Sequence, residues 1–247
     1  MTTFTCGAIK SPYNPDDLIA EHIYPSARDL NLPDKLDLRS NLQGVRDQGS
    51  QGTCVAQSIA CMKEWQEKTQ VNLSEYMSPQ FVYNNRSNYP SPGMYCSNAM
   101  KILNTLGCCT EYNYHYGTTE PIPKPAMDEA LRYKVKSYAQ ITTLVGVQTA
   151  LYKNGPCIVA FPAYNYGPQF WVKGANDKLI GGHCVTIVGY DKEKFIIRNS
   201  WGTKWNDGGY TYYPYSQFGS HWEIWTSIDD ESPKPDPHPA ECKCIII

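Results

Sequence analysis

No run of lysine or arginine interrupts this chain, and 22 basic against 24 acidic side chains leave a formal net charge of −2 over 247 residues. Without a basic stripe there is no electrostatic footprint for nucleic acid. No cluster of ligating side chains points to a metal, no organic cofactor is called for, and no internal repeat stands out. The opening Met1-Thr2-Thr3-Phe4-Thr5-Cys6 has neither the basic segment nor the apolar core of a secretory signal, so an intracellular setting, or a particle assembled inside a cell, is expected. Phenylalanine is scarce, six residues against 19 tyrosines, which predicts half-buried aromatic positions whose hydroxyls reach water or partners. Apolar material is ample: at 41% hydrophobic and 13% aromatic, the chain can bury one large core or two lobes that share an interface.

Ten cysteines raise the question of a disulfide framework. Cys108 and Cys109 are adjacent, a poor geometry for an ordinary staple, and no secretory signal accompanies them, so most thiols are expected to be reduced. The sequons Asn72-Leu73-Ser74 and Asn85-Arg86-Ser87 read as incidental for the same reason.

One cysteine stands apart. Gln48-Gly49-Ser50-Gln51-Gly52-Thr53-Cys54 is followed about 130 residues later by Gly181-Gly182-His183, and then by Arg198-Asn199-Ser200-Trp201-Gly202. That order describes a thiol nucleophile, its base and the group that orients the base. Val55, Ile59, Met62 and Trp65 recur at helical spacing with Lys63, Glu64, Gln66 and Glu67 between them, which predicts an amphipathic helix to about residue 69. Cys54 then lies in a first helical turn, where unsatisfied N–H groups and the macrodipole favour thiolate by a few tenths to about 2 kcal/mol. A larger contribution is expected from His183 as imidazolium, the two titrating as a pair. Each residue alone has a structural explanation; the joint order, with Gln48 and Trp201-Gly202, carries the reading.

These residues resemble the papain and cathepsin family of cysteine peptidases. Asn199-Ser200-Trp201-Gly202 followed by Gly208-Gly209-Tyr210 matches that family's second landmark, and the likeness runs from about residue 36 to 213. The resemblance implies an α+β fold: a helical lobe and an antiparallel, barrel-like β lobe, with the site in the cleft between them. It implies Cys54 as nucleophile, His183 as general base and later general acid, Asn199 as the acceptor that orients the imidazole, and Gln48 as a side-chain donor in the oxyanion hole. Trp201 is implied as the cover over His183 and Asn199. Gly93, Met94, Tyr95, Cys96, Gly182, Cys184 and Trp201 are the implied substrate-binding residues. Tyr95, Cys96 and Cys184, joined by Phe161 or Pro162, would line an apolar hollow for the side chain two residues before the cut. Endopeptidase activity on proteins or peptides, by a monomer, is expected. The alternatives are a peptide-binding protein on the same scaffold, or an acyl transferase or amidase using the same thioester. Departures are Gln51, where relatives carry a cysteine for a typical secreted-enzyme disulfide; Val55, where an aromatic is usual; Gly182, where aspartate or asparagine is common; and Pro92-Gly93-Met94, where paired glycines are usual.

The organisation expected along the chain is an arm at 1–35, rich in proline and weak in periodicity, then a catalytic domain at 36–228. Its helical lobe covers 36–132, with further helices near 78–84 and 97–106; its β-rich lobe covers 133–228, with strands near 157–161, 184–190, 194–199 and 209–213 and a helical turn at 145–152. By the resemblance, the arm is expected either to lie across the cleft as a propeptide-like plug or to pack on the surface away from Cys54. Residues 229–247 read as a proline-rich linker and apolar tail. In it Cys244 has the form of a prenylation site with Cys242 as a second lipid acceptor, a route to membrane association. An interrupted membrane helix or a frayed end are the other readings of the tail.

Overall fold

The computed structural model describes residues 4–24 and 30–229. The tail, with Cys242 and Cys244, lies outside the described residues. In chain order the elements are β1 (Ala8–Ile9), α1 (Ala20–Ile23), β2 (Leu36–Asp37), α2 (Cys54–Val71), α3 (Pro79–Asn84), β3 (Met94–Tyr95), α4 (Cys96–Thr105) and α5 (Lys124–Ala130), followed by β4 (Val135–Gln140), α6 (Leu144–Asn154), β5 (Cys157–Ala163), β6 (Gly181–Tyr190), β7 (Lys194–Arg198), β8 (Tyr210–Pro214) and β9 (Glu223–Asp229).

Helices dominate up to residue 130 and strands thereafter, as expected from the change in hydrophobic period. Local chemistry sets the boundaries. Ser78 Oγ accepts from the Phe81 N–H at 3.0 Å and Pro79 occupies the first helical position of α3. Thr143 caps α6 through the Gly146 N–H at 2.9 Å. Helix α2 ends where Asn72 adopts φ 57° and turns its N–H back to the Glu67 carbonyl. Among the described residues the strands form one curled sheet, ordered β3-β1-β6-β5-β9-β4, with β7 pairing β6 and β8 and with β2 on β6. Strands β4 and β9 and helix α5 were not foreseen. Strand β4 shows no clean alternation in burial, and it is made by antiparallel pairing with β9 over Val135–Gln140, which only the fold supplies.

Helix α2 departs from the amphipathic expectation. Lys63, Glu64, Gln66 and Glu67 are all buried, because α2 runs through the middle of the molecule and its polar stripe meets other protein, not water. Lys63 Nζ pairs with Glu67 Oε1 at 2.6 Å, Glu64 with Arg46 at 2.7 Å, and Gln66 Nε2 donates to Ser227 Oγ at 3.0 Å. Buried charge is tolerated when paired and hydrogen-bonded in this way. The core separates into a cluster around α2, α3 and α4 and a second, aromatic cluster inside the β lobe.

The arm carries short elements of its own. Strand β1 runs parallel to β3 and antiparallel to β6, Ala8 facing Met94 on one side and Gly182 on the other. Since β3 belongs to the helical lobe and β6 to the β lobe, the arm bridges the two walls of the cleft. Farther on, the Gln140 N–H donates to Leu18 O at 2.8 Å. Glu21 Oε1 accepts from the N–H groups of Thr142 and Thr143 at 2.9 and 2.8 Å, fastening α1 to the start of α6.

Candidate active site

Cys54 is the first residue of α2, and Thr53 makes no side-chain cap there, so the helix's leading N–H groups are not consumed by a cap. Thr53 Oγ1 instead meets the Tyr116 hydroxyl at 2.8 Å, and that hydroxyl donates to Gln48 O at 2.7 Å, bracing the loop that delivers the thiol. Gln48 is held from the far side of the cleft as well. Its N–H donates to Ser200 O at 2.9 Å and its Oε1 accepts from Ser200 Oγ at 2.7 Å. With Oε1 occupied, the amide is oriented so that Nε2 donates, and it does so to Gln51 O at 2.9 Å and Thr5 O at 3.0 Å.

Asn199 follows directly after β7, and His183 lies within β6, its partner strand. Asn199 Oδ1 accepts the Ser200 N–H at 2.7 Å, which identifies that atom as the amide oxygen. The 2.7 Å contact from His183 Nε2 to the same oxygen therefore requires the proton on Nε2. In the neutral ring this leaves Nδ1 as the unprotonated nitrogen, and Nδ1 makes no hydrogen bond. Trp201 stacks on the imidazole, centroids 4.2 Å apart and planes at 18°. The thiol of Cys54 lies against β6, within hydrogen-bonding reach of the Cys184 N–H, one residue beyond His183, and of the Gly7 N–H from the arm.

In this arrangement the Cys54 thiol and the His183 imidazole are both shifted toward their neutral forms. Burial, reinforced by the neighbouring Cys184 and Cys6 thiols, pushes the Cys54 thiol up to about 12 against the two N–H groups. Burial pulls His183 down to about 4, with Asn199 opposing. The arm adds to this packing, its Gly7 N–H against Cys54 and its Phe4 over Trp201. Phe4 stacks on the outer face of Trp201 at 4.7 Å with planes 10° apart. Gly7 passes so close to Gly52 that a Cβ there would sit 2.0 Å from the Gly52 carbonyl oxygen. Gly182 is tight in the same way: a Cβ would meet Ala8 O at 2.2 Å and the Trp222 ring at 2.3 Å, so the larger residue usual before the histidine has no room.

The family model for papain family cysteine proteases matches residues 32–223. The chain belongs to the papain family. Cysteine proteinase 3 of Entamoeba histolytica is 30% identical over 203 residues, covering 72% of this chain and 61% of the relative. Papain of Carica papaya is 27% identical, covering 83% and 61%. The chain thus spans about three fifths of the length of these relatives. Among solved structures, xylellain, a cysteine protease from Xylella fastidiosa, superposes with a TM-score of 0.80 at 23% identity, covering 93% of this chain and 99% of that one. The two-lobe α+β papain fold follows.

Of the implied substrate-binding residues, Gly93, Met94 and Tyr95 form the helical wall and Gly182 the opposing one, with β1 between them. Cys96 and Cys184 share the buried cluster around α2. Phe161 does not belong with them. Strand alternation turns it into the β-lobe cluster, where it stacks on Trp171 at 4.6 Å; Ala160, facing Cys184 across β5 and β6, joins the Cys96 cluster instead. Sequence reading missed Glu223, which is buried opposite Ala160 on β9 and accepts from the Ser11 N–H at 3.0 Å and Trp225 Nε1 at 2.7 Å. It lines a cavity of about 370 Å³ with Trp222, Trp225, Gln140 and arm residues 10–14 and 17, which none of Tyr95, Cys96 and Cys184 lines, and it lies close enough to Cys96 to interact with it electrostatically. Nothing in the local pattern marked β9 as a strand, and without β9 this carboxylate could not be placed. All eight described cysteines are unpaired.

Proposed function

We propose that this chain is a cysteine endopeptidase acting on proteins or peptides and held closed by residues 4–11 of its own arm. The observation that carries the reading is the arm's contact with two of the groups that acyl transfer needs, Gln48 and Cys54. Thr5 O takes the Gln48 Nε2 donor, Gly7 lies on Cys54, and β1 is hydrogen-bonded to both cleft walls.

With the arm displaced, water and substrate dipoles replace the dry contact, and the proton of Cys54 passes to His183 Nδ1, the nitrogen left free by the Nε2–Asn199 hydrogen bond. The thiolate attacks the scissile carbonyl carbon. The oxygen, now anionic, is received by Gln48 Nε2 and the Cys54 N–H, a donor pair worth about 3 kcal/mol per donor in the transition state. His183 returns its proton to the leaving amine, and a thioester on Cys54 remains. Water, deprotonated by His183, then releases the acid and regenerates the thiol. A neutral Asn199 suffices as orienting group because the imidazolium's charge is balanced by the thiolate.

The test compares the full chain, a form lacking residues 1–11, and Cys54→Ala for cleavage of fluorogenic peptides and labelling by an epoxysuccinyl inhibitor. Labelling and cleavage should rise strongly on truncation and vanish in Cys54→Ala. A folded truncated form that neither labels nor cleaves would sink the enzyme reading in favour of a peptide-binding protein; transfer of the acyl group to an added amine in preference to water would favour a transferase.

A further inference from the structure

Cys96 and Cys184 take no part in acyl transfer, yet both surround the sulfur that does. Cys54, Cys96 and Cys184 are fully buried in one cluster, on α2, α4 and β6 respectively. The Cys96 and Cys184 sulfurs are 3.9 Å apart and hydrogen-bonded. The Cys184 N–H reaches the Cys54 sulfur, and both neighbouring thiols interact electrostatically with Cys54. Of the other buried thiols, Cys108 meets Ser78 O and Cys157 meets Gly155 O, while Cys6 of the arm also lies near Cys54. On the assignment of Cys54 as nucleophile, we propose that Cys184 and Cys96 form a dithiol that rescues Cys54 after oxidation by hydrogen peroxide, ending as a Cys96–Cys184 disulfide.

The chemistry balances. Cys54 thiolate attacks one peroxide oxygen, giving a sulfenic acid and, with a proton, one water. The Cys184 thiol attacks the sulfenyl sulfur and expels a second water, forming a Cys54–Cys184 disulfide. Cys96 attacks the Cys184 sulfur, and Cys54 departs as thiolate and recovers a proton. In sum, two thiol hydrogens and one peroxide become one disulfide and two waters. The last exchange runs in this direction because the better leaving group is the thiol with the lowest pKa, which in the open cleft is Cys54 beside His183. Burial and the mutual hydrogen bond hold Cys96 protonated, so peroxide meets Cys54 first. A disulfide of about 2.0 Å requires the two sulfurs to close by about 2 Å, within the reach of side-chain rotation about χ1.

The experiment treats the chain carrying Gly7→Ala, whose added Cβ would overlap the Gly52 carbonyl and free the cleft, with a small excess of hydrogen peroxide, unfolds it, blocks remaining thiols with iodoacetamide, and reads digests and intact mass. The expected product carries a Cys96–Cys184 crosslink, which removes two hydrogens (about 2 Da), and an alkylated Cys54. In Cys184→Ala, Cys54 should instead advance to sulfinic acid, a gain of about 32 Da, in Cys96→Ala the reaction should stop at the Cys54–Cys184 disulfide, and in both inhibitor labelling, relative to each variant's own untreated level, should fall several-fold faster than in the parent chain. Equal sulfinic acid formation in parent and Cys184→Ala, a Cys6–Cys54 product in place of the crosslink, or no oxidation product at all overturns the proposal. So does a Cys96–Cys184 crosslink that still forms in Cys54→Ala. Failure of the peptidase reading is separate, seen as absent inhibitor labelling before any peroxide is added.

Discussion

The carbonyl oxygen of Thr5 accepts the Nε2–H of Gln48 at 3.0 Å, so the arm's own backbone takes the side-chain donor that the proposed mechanism assigns to the oxyanion. Its neighbour Gly7 fits against Gly52 only because it has no side chain.

Gly7→Ala is therefore expected to activate. The added Cβ would overlap the Gly52 carbonyl at 2.0 Å, and the arm has more freedom to move than the loop braced by Tyr116. Inhibitor labelling should rise by at least about 10-fold, corresponding to roughly 1.4 kcal/mol or more of lost arm binding. Labelling that stays slow while the truncated form labels fast would mean the arm accommodates the methyl group.

The arm-closed state also predicts a pH signature. With the thiol pushed up to about 12, Cys54 in the full chain stays protonated at neutral pH, and its alkylation by iodoacetamide should climb only in strongly alkaline solution. Once the arm is removed, the imidazolium lowers the thiol's pKa, and fast alkylation should persist below pH 7. Identical alkylation profiles for the two forms would contradict the role given to desolvation.

Glu223, near enough to Cys96 to interact with it electrostatically, would attract a cationic substrate side chain. When the arm leaves, Glu223 Oε1 loses the Ser11 N–H and keeps Trp225 on its other oxygen. Substrates bearing arginine two residues before the cut should be preferred over those bearing leucine. Glu223→Gln should reduce that preference by about 10-fold or more, the worth of a charge-assisted hydrogen bond. Competitive cleavage of the two peptides measures it, and an unchanged ratio would restore the apolar pocket.

Helix α2 depends on its buried pair. Glu67→Leu would strand Lys63 in the core and should cost about 3–5 kcal/mol in urea unfolding, whereas Lys63→Met with Glu67→Leu should recover most of that loss, because no uncompensated charge remains. A double variant no more stable than the single would show that other partners of Lys63 dominate.

The order Gln48, Cys54, His183, Asn199, Trp201 by itself determined the family and the two-lobe fold. Catalytic chemistry demands particular functional groups, and these stand in short, recognisable runs. Helices α2, α3 and α4 and strands β5 to β8 were legible for a related reason: their period or apolar runs are local. Tertiary structure alone decided the rest. Strand β9, and with it Glu223, exists through pairing with β4 and β5; the polar stripe of α2 is buried because both lobes close over it; Ala160 replaces Phe161 beside Cys96 through strand alternation. The arm's place in the cleft belongs to the same class, since residues 4–11 have almost no pattern of their own. What holds them there is the backbone donors and acceptors of β3 and β6 and a gap that only Gly7 fits, and such complementarity between distant segments comes into being only when the chain is folded.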